Sequence, residues 1–129
     1  MAESYYLIDS NAVIDYLGNR LPKSVMTFMN DVVDAVANLS VITKMEVLGF
    51  NTPEDDYNLL SDFMEDAVVL YLTEEIVQEC INIRKQQSIK LPDAIIAATA
   101  VVYDMDLITR NLSDFKNIHA LDVVNPHLL

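Results

Sequence analysis

The feature that most constrains the fold of this chain is an alternation of short apolar runs with longer amphipathic runs. The short runs are rich in strand-forming residues, and in the longer ones apolar residues recur at helical spacing. The predicted strands are residues 5–8, 39–42, 68–72 and 107–109, with a possible fifth at 121–124. Parallel neighbours need crossover connections, usually helices. We therefore predict an α/β fold, a three-layer α/β/α sandwich around a central, mostly parallel sheet of four to five strands.

The length predicts a single domain that spans residues 1–129. Because 52% of the residues are hydrophobic, we expect this domain to be folded and globular. The longest apolar stretch, Ile95 to Tyr103, is too short to span a bilayer. The first residues contain no basic segment followed by an apolar one, so we expect no secretion and a cytoplasmic protein without membrane contact. The single cysteine, Cys80, excludes an intramolecular disulfide, and its apolar neighbours predict a buried packing residue.

The net charge of −12 argues against a protein that wraps duplex nucleic acid, since phosphate contacts normally come from a basic surface. It leaves room for an enzyme that meets a phosphate through a bound metal ion, because the ion inverts the local field. With only two glycines, the chain has neither a P-loop nor a dinucleotide-binding fingerprint.

Acidic, amide and hydroxyl side chains stand where the predicted strands end or the helices begin. They are Asp9, Asn11, Glu46, Asp93, Thr109, Asn111 and Asp114. The carboxyl ends of parallel strands meet at one edge of the sheet, where ligands usually bind. Carboxylates gathered there repel one another unless a cation lies between them. Hard oxygen ligands of this kind suit Mg²⁺ or Mn²⁺, which would activate water and stabilise charge on a phosphate.

Several of these residues also have a structural explanation. Asp9 could cap the helix that follows it, with the Asn11 amide orienting its carboxylate. Thr43 and Glu46 have the spacing of a capping box, in which the glutamate reaches back to the threonine N–H. The Thr109 hydroxyl could donate to a carboxylate or to water on a metal.

Asp93 is harder to explain structurally, because the residues three, four and seven positions later are all apolar. An inward carboxylate is costly unless it is paired or bound to a cation. Asn111 and Asp114 could instead form a turn. His119 and His127 belong to no ligand pattern, so we interpret both as ordinary surface or terminal residues, and no His/Cys cluster suits zinc.

Taken together, these motifs resemble a PIN domain, most closely the VapC-type toxins of bacterial toxin–antitoxin modules. The match covers nearly the whole chain, and its most specific parts are the Pro-Asp-x-x-Ile-Ala-Ala-Thr-Ala segment from Pro92 and the Thr-Arg-Asn-x-x-Asp-Phe segment from Thr109. The resemblance implies a Mg²⁺- or Mn²⁺-dependent endoribonuclease. It also implies a cognate antitoxin that lays a segment across the active site, and a homodimer.

The resemblance carries three metal-binding acids onto this chain, namely Asp9, Glu46 and Asp93. The fourth acidic position aligns with Asn111, where many relatives carry Asp. Either Asp114 supplies the missing catalytic charge, or the site holds one ion firmly and a second weakly. Arg110 stands beside this position and is a candidate contact for the substrate phosphate.

Two alternatives compete with the nuclease. A phosphotransfer domain would need adjacent acids or Asp-x-Asp after the first strand, and a receiver would also need a lysine ending a late strand; the chain has Asp9-Ser10-Asn11 and Thr109 instead. A non-catalytic PIN-fold module that binds RNA or protein is favoured by Asn111 and by the acidic composition. Divalent-dependent RNA cleavage that is lost on Asp93→Asn would distinguish the nuclease from this module.

Overall fold

The computed structural model describes residues 5–128. Its strands are β1 (Tyr6–Ile8), β2 (Asn38–Ser40), β3 (Val68–Leu70), β4 (Asp106–Ile108) and β5 (Val123–Val124). Its helices are α1 (Ser10–Leu17), α2 (Lys23–Ala35), α3 (Val41–Leu48), α4 (Glu54–Asp66), α5 (Glu74–Gln86), α6 (Leu91–Val102) and α7 (Leu112–Phe115), followed by a short 3₁₀ turn, Pro126–Leu128. No helix within this described part is long and apolar enough to cross a membrane.

The five strands form one sheet in the order β3-β2-β1-β4-β5, and every neighbouring pair is parallel. The register places Leu7 beside Leu107 and Ile8 beside Ile108 in the two central strands. Because the strands all point the same way, the residues that follow β1, β2 and β4 lie at one edge of the sheet. The predicted parallel sheet is confirmed.

Successive strand residues point to opposite faces of the sheet, and this divides the core in two. Leu7 and Leu107 pack with residues of α5, α6 and α7, whereas Ile8 and Ile108 pack with residues of α1 to α4. Each face is thus covered by helices, and the predicted three-layer sandwich is confirmed. Cys80 is buried in the first of these cores, as predicted.

The boundary between β2 and α3 differs from the prediction and changes the interpretation of Glu46. The strand ends at Ser40, whose hydroxyl accepts a hydrogen bond from the Ile42 N–H (3.1 Å) and caps the helix. The capping box at Thr43 and Glu46 is therefore wrong, because Thr43 already lies inside the helix. Serine is a strong N-cap and stops the strand here, although the apolar residues that follow suit a strand.

Other predicted boundaries shift by a few residues. β1 and β4 each begin one residue away from the prediction, while β3 and β5 are two residues shorter. The Thr73 hydroxyl caps α5 by accepting from the Ile76 N–H (3.2 Å), and Pro92 lies in the first turn of α6. These shifts leave the candidate site residues at the same edge.

Candidate metal centre at the carboxyl edge of the sheet

Asp9 lies at the centre of the candidate site, directly after β1. It is 5% exposed and caps α1, with Oδ1 accepting from the Ser10 N–H (2.8 Å). Its second oxygen, Oδ2, accepts from the Thr109 hydroxyl (2.9 Å) and from the Asn11 amide (3.2 Å). Asp9 therefore caps α1, and the side chains of Asn11 and Thr109 both donate hydrogen bonds to its carboxylate.

Asn11 and Thr109 join the ends of the two central strands. The Asn11 amide donates to Thr109 Oγ1 (3.0 Å) as well as to Asp9. The side-chain oxygen Oδ1 of Asn11 accepts from the backbone N–H of Arg110 (3.1 Å), and Thr109 Oγ1 accepts from the backbone N–H of Asn111 (3.1 Å). These contacts span nearly the whole sequence, so they fix the carboxylate of Asp9 relative to the segment after β4.

Glu46 reaches across to α1 and does not turn back on its own helix. Ser10 Oγ donates to Glu46 Oε1 (2.7 Å) and lies 3.4 Å from the hydroxyl of buried Thr43. The sequence prediction missed Ser10, although its place between Asp9 and Asn11 was the available signal. The serine hydroxyl holds the exposed Glu46 carboxylate beside the edge where Asp9 lies.

Asp93 and Asp114 approach the same edge from α6 and α7. Asp93 is half-buried in the first turn of α6, and Asp114 is exposed. The Asn111 amide donates to Asp114 Oδ2 (2.6 Å). The asparagine at the fourth position thus binds the acid one helical turn later, so Asn111 and Asp114 form one polar pair.

The carboxylates influence one another electrostatically. Burial raises the pKa of Asp9 above 3.8, the negative charges of Asp93 and Glu46 raise it further, and the hydrogen bonds from Thr109 and Ser10 oppose the rise. Burial likewise raises the pKa of Asp93, with the charges of Asp114 and Glu46 adding to it and Lys90 opposing it. No ion pair involves any of the four carboxylates within residues 5–128.

The donor set fits a divalent cation in its chemistry. All the candidate ligands offer hard oxygen atoms, which Mg²⁺ and Mn²⁺ prefer, and their mutual repulsion is what such an ion would offset. In the described part of the chain, no three Asp, Glu, His or Cys side chains form a ready-made metal cluster. Glu46 and Asp114 are exposed, so the arrangement is a set of neighbouring acids around the buried carboxylate of Asp9.

A second carboxylate, Asp15, lies on α1 and was missed by the sequence prediction. Arg110 Nη1 donates to both of its oxygens (3.2 and 3.0 Å), and His127 Nε2 lies 3.1 Å from Oδ2. His127 is exposed and lies in the terminal 3₁₀ turn, in agreement with its interpretation as a surface or terminal residue, and its ring also contacts a side chain that is only 2% exposed. The signal for Asp15 was its place three residues after Ala12, on the apolar stripe.

Sequence and structure comparisons agree on the class of protein. The PIN domain family matches residues 6–121, and the chain belongs to this family. A toxin–antitoxin complex from Klebsiella pneumoniae is 28% identical (TM-score 0.74) and covers 94% of this chain and 97% of its own. VapBC-1 from nontypeable Haemophilus influenzae is 26% identical (TM-score 0.76), with coverage of 95% and 98%.

The fold likeness extends to more distant structures. DNA-bound VapBC from Salmonella typhimurium has a TM-score of 0.81 at 20% identity, and the match covers 96% of this chain and 99% of that one. The resemblance to VapC-type proteins drawn from the motifs is thus confirmed. A comparison with curated protein sequences gave no significant match.

Proposed function

We propose that this protein is a Mg²⁺- or Mn²⁺-dependent endoribonuclease and the toxin of a toxin–antitoxin pair. The observation that carries the proposal is the convergence of Asp9, Glu46, Asp93 and Asp114 at the carboxyl edge of the sheet, with no ion pair to any of them among the described residues. Carboxylates whose pKa values are raised by burial and by one another are found most often at functional sites. The PIN domain membership and the solved toxin–antitoxin relatives support the nuclease class.

In this proposal, Asp9 and Asp93 hold the cation, and Glu46, Asp114 and the Asn111 oxygen complete its surroundings. The ion would lower the pKa of the attacking water and stabilise charge on the phosphate. The chain's own contribution is to fix the acids before the substrate arrives. Ser10 positions Glu46 (2.7 Å), while Thr109 and Asn11 hold Asp9 in one orientation.

Arg110 is retained as a candidate phosphate contact, with its orientation now specified. One terminal nitrogen binds both oxygens of Asp15, and the side chain is still 55% exposed, so the guanidinium keeps N–H groups accessible to a phosphate. An arginine fixed by a buried carboxylate loses little freedom when it binds a phosphate. In this proposal Arg110 therefore contributes to substrate affinity and does not take part in the proton transfers.

The partner we propose is an antitoxin, because the similar solved structures are toxin–antitoxin complexes. An apolar groove of about 530 Å³ runs from Asn11 and Arg110 past Phe50 and Leu59. Phe50 is 66% exposed and Leu59 50%, and both line the groove, so their apolar side chains are open to a partner there. We propose that an apolar antitoxin segment covers this groove, and that the toxin forms a homodimer.

The test is to titrate Mn²⁺ into the purified, antitoxin-free protein by calorimetry and then to assay RNA cleavage. Asp93→Asn should lose Mn²⁺ binding and divalent-dependent cleavage. Asp104→Asn is a matched control, since Asp104 lies at the opposite edge of the sheet with a positive φ that asparagine tolerates well. Equal Mn²⁺ binding by Asp93→Asn would contradict the site. Mn²⁺ binding without any RNA cleavage would favour the non-catalytic module.

A further inference from the structure

A second groove, distinct from the apolar one, opens directly from the acidic edge. It has a volume of about 660 Å³ and lies between the segment joining α5 to α6 and the residues that follow α7. Asp93 and Asp114 form one side of its opening. Apart from Ile89, the rest of the lining is polar and basic, and includes Gln86, Gln87, Lys90, Ser113, Lys116 and Asn117.

The basic residues of this acidic chain are concentrated around that groove. Residues 80–103 and 111–121 contain four of the eight basic residues (Arg84, Lys85, Lys90 and Lys116). The same segments contain only two of the twenty acidic residues, and those two are Asp93 and Asp114. The remainder of the chain carries four basic and eighteen acidic residues, a formal charge of −14. The groove lining itself balances Lys90 and Lys116 against Asp93 and Asp114, so an anionic ligand is repelled less here than from the acidic remainder of the surface.

Lys90 and Lys116 have the accessibility that a phosphate contact needs. Both are exposed, and neither forms an ion pair with any residue from 5 to 128. Lys90 is close enough to Asp93 for its charge to act on that carboxyl. A phosphate held by Lys90 would thus lie in the same groove as Asp93, one of the carboxylates that would hold the metal.

We infer that this groove binds a single-stranded segment of RNA beside the acidic site, with Lys90 and Lys116 contacting the phosphates that flank the cleaved one. The inference rests on the proposed nuclease function. The amides of Gln86, Gln87 and Asn117 then face the bases, whose hydrogen-bonding edges are open only when the RNA is unpaired. The volume is that of pockets that hold drug-sized ligands, the size class of a nucleotide.

The chemistry of the groove favours a single strand over a duplex. A duplex would bring its second phosphate backbone against the acidic remainder of the surface, whereas one strand can follow the basic lining alone. No aromatic residue lines the groove, so base stacking contributes nothing to the affinity. RNA binding there depends on phosphate contacts and on amide hydrogen bonds, which predicts a marked salt dependence.

The experiment measures binding of a fluorescein-labelled, unstructured RNA to the full chain in EDTA by anisotropy, so that cleavage does not occur. The double variant Lys90→Gln/Lys116→Gln should bind about five- to tenfold more weakly. Its slope of log affinity against log salt should be shallower by about 1.4, the value for two lost contacts to a single strand. The control, Lys23→Gln/Lys44→Gln, changes the net charge equally outside the groove and should stay within about twofold of the wild type.

A second measurement locates the RNA without relying on affinity. In a ¹H–¹⁵N spectrum, the side-chain amide signals of Gln86, Gln87 and Asn117 should shift on RNA addition, and a duplex of the same sequence should shift them less at equal concentration. Equal weakening in both double variants, or no weakening in the groove variant, would overturn the inference. So would a wild type that does not bind RNA, or a duplex that binds as tightly as the single strand.

These outcomes separate the inference from the proposed nuclease function. RNA binding that depends on Lys90 and Lys116, in a protein that never cleaves with Mn²⁺, would support the groove and remove the nuclease. Mn²⁺-dependent cleavage with a groove variant that binds RNA normally would support the nuclease and overturn the groove.

Discussion

The buried aspartates Asp9 and Asp15 differ in their partners, although they lie only six positions apart. Asp9 caps the start of α1, and Asp15 lies within the same helix. Asp9 is 5% exposed and Asp15 1% exposed. Asp15 binds the Arg110 guanidinium and lies against the His127 ring. Asp9 receives hydrogen bonds only from neutral groups, those of Ser10, Asn11 and Thr109. Equal burial thus accompanies a balanced charge at Asp15 and an unbalanced one at Asp9.

The difference shows which of the two carboxylates is structural. A buried carboxylate with a cationic partner is stable as it stands, and removing one member leaves the other without compensation. A buried carboxylate with neutral donors and acidic neighbours is held at a cost, which the raised pKa of Asp9 expresses. Asp15 therefore connects the end of the chain to α1, whereas Asp9 is the carboxylate that we propose binds a cation.

The largest expected effect is on RNA cleavage. Asp9→Asn should reduce Mn²⁺-dependent cleavage by about 100-fold or more, the scale of losing one electrostatic contact to a transition state. Asparagine caps a helix as well as aspartate does, so α1 should remain intact. Single-turnover cleavage and circular dichroism measure the two properties.

Asp15→Asn is the matched variant in that assay, because it removes the same charge from the same helix. Assayed well below its unfolding temperature, it should retain cleavage within about tenfold of the wild type, the limit expected for weakening one phosphate contact through Arg110. Loss of cleavage in Asp15→Asn as severe as in Asp9→Asn would break the distinction between the two aspartates.

The next effect is on stability, for which we expect Asp15 to matter more than Asp9. Asp15→Asn should lower the free energy of unfolding by about 2 kcal/mol, less than for a fully buried pair because Arg110 and His127 can regain water. Urea unfolding in EDTA measures this difference. Asp31→Asn, an exposed change on α2, should alter stability by less than about 0.5 kcal/mol. A cost for Asp15→Asn no larger than for Asp31→Asn would show that the ion pair contributes nothing.

The same two aspartates show how far the sequence alone reaches. The parallel sheet follows from the alternating pattern, and Asp9, Asn11 and Thr109 were found because parallel strands end at one edge. Asp15 was missed because its partner His127 is 112 residues away, in a turn with no periodicity of its own. Nothing in a local pattern indicates which helix such a terminal segment will contact.

The β2–α3 junction failed for a different reason. The residues after Ser40 are apolar and partly β-branched, which suits a strand, yet the hydroxyl of Ser40 caps a helix there. Both local signals were present, and the serine cap prevailed over the strand propensity of the residues that follow. As a result, Glu46 does not reach back to the terminus of its own helix; it contacts Ser10, so the contact joins two helices.

A smaller effect concerns pH in the metal-free protein. The pKa values of Asp9 and Asp93 are raised, so the folded state binds protons more tightly than the unfolded state. The stability that this proton binding provides is complete below about pH 3.8, and it is lost as the pH rises through the raised pKa values of the folded state. Asp9→Asn lacks one of these groups and should lose less stability over that range, so at neutral pH in EDTA it should be at least as stable as the wild type.

Urea unfolding across a pH series measures this difference, and saturating Mn²⁺ should reverse the order, since only the wild type keeps the full set of ligands. If the free energy of unfolding of the metal-free wild type rose relative to that of Asp9→Asn as pH increases, the account of Asp9 would be contradicted. The sign of that difference is the critical result, because a paired carboxylate would give the opposite one.

The smallest effect comes from the 3₁₀ turn. His127→Gln removes one of the two partners of Asp15 while Arg110 still holds both carboxylate oxygens, so the expected cost is about 0.5 kcal/mol. His119→Gln is the control, because His119 is exposed and should give no measurable change. Amide hydrogen exchange should show faster exchange near residues 126–128 in His127→Gln only. Equal exchange in both variants would mean that the ring contact does not hold the turn, and that Arg110 alone balances the charge of Asp15.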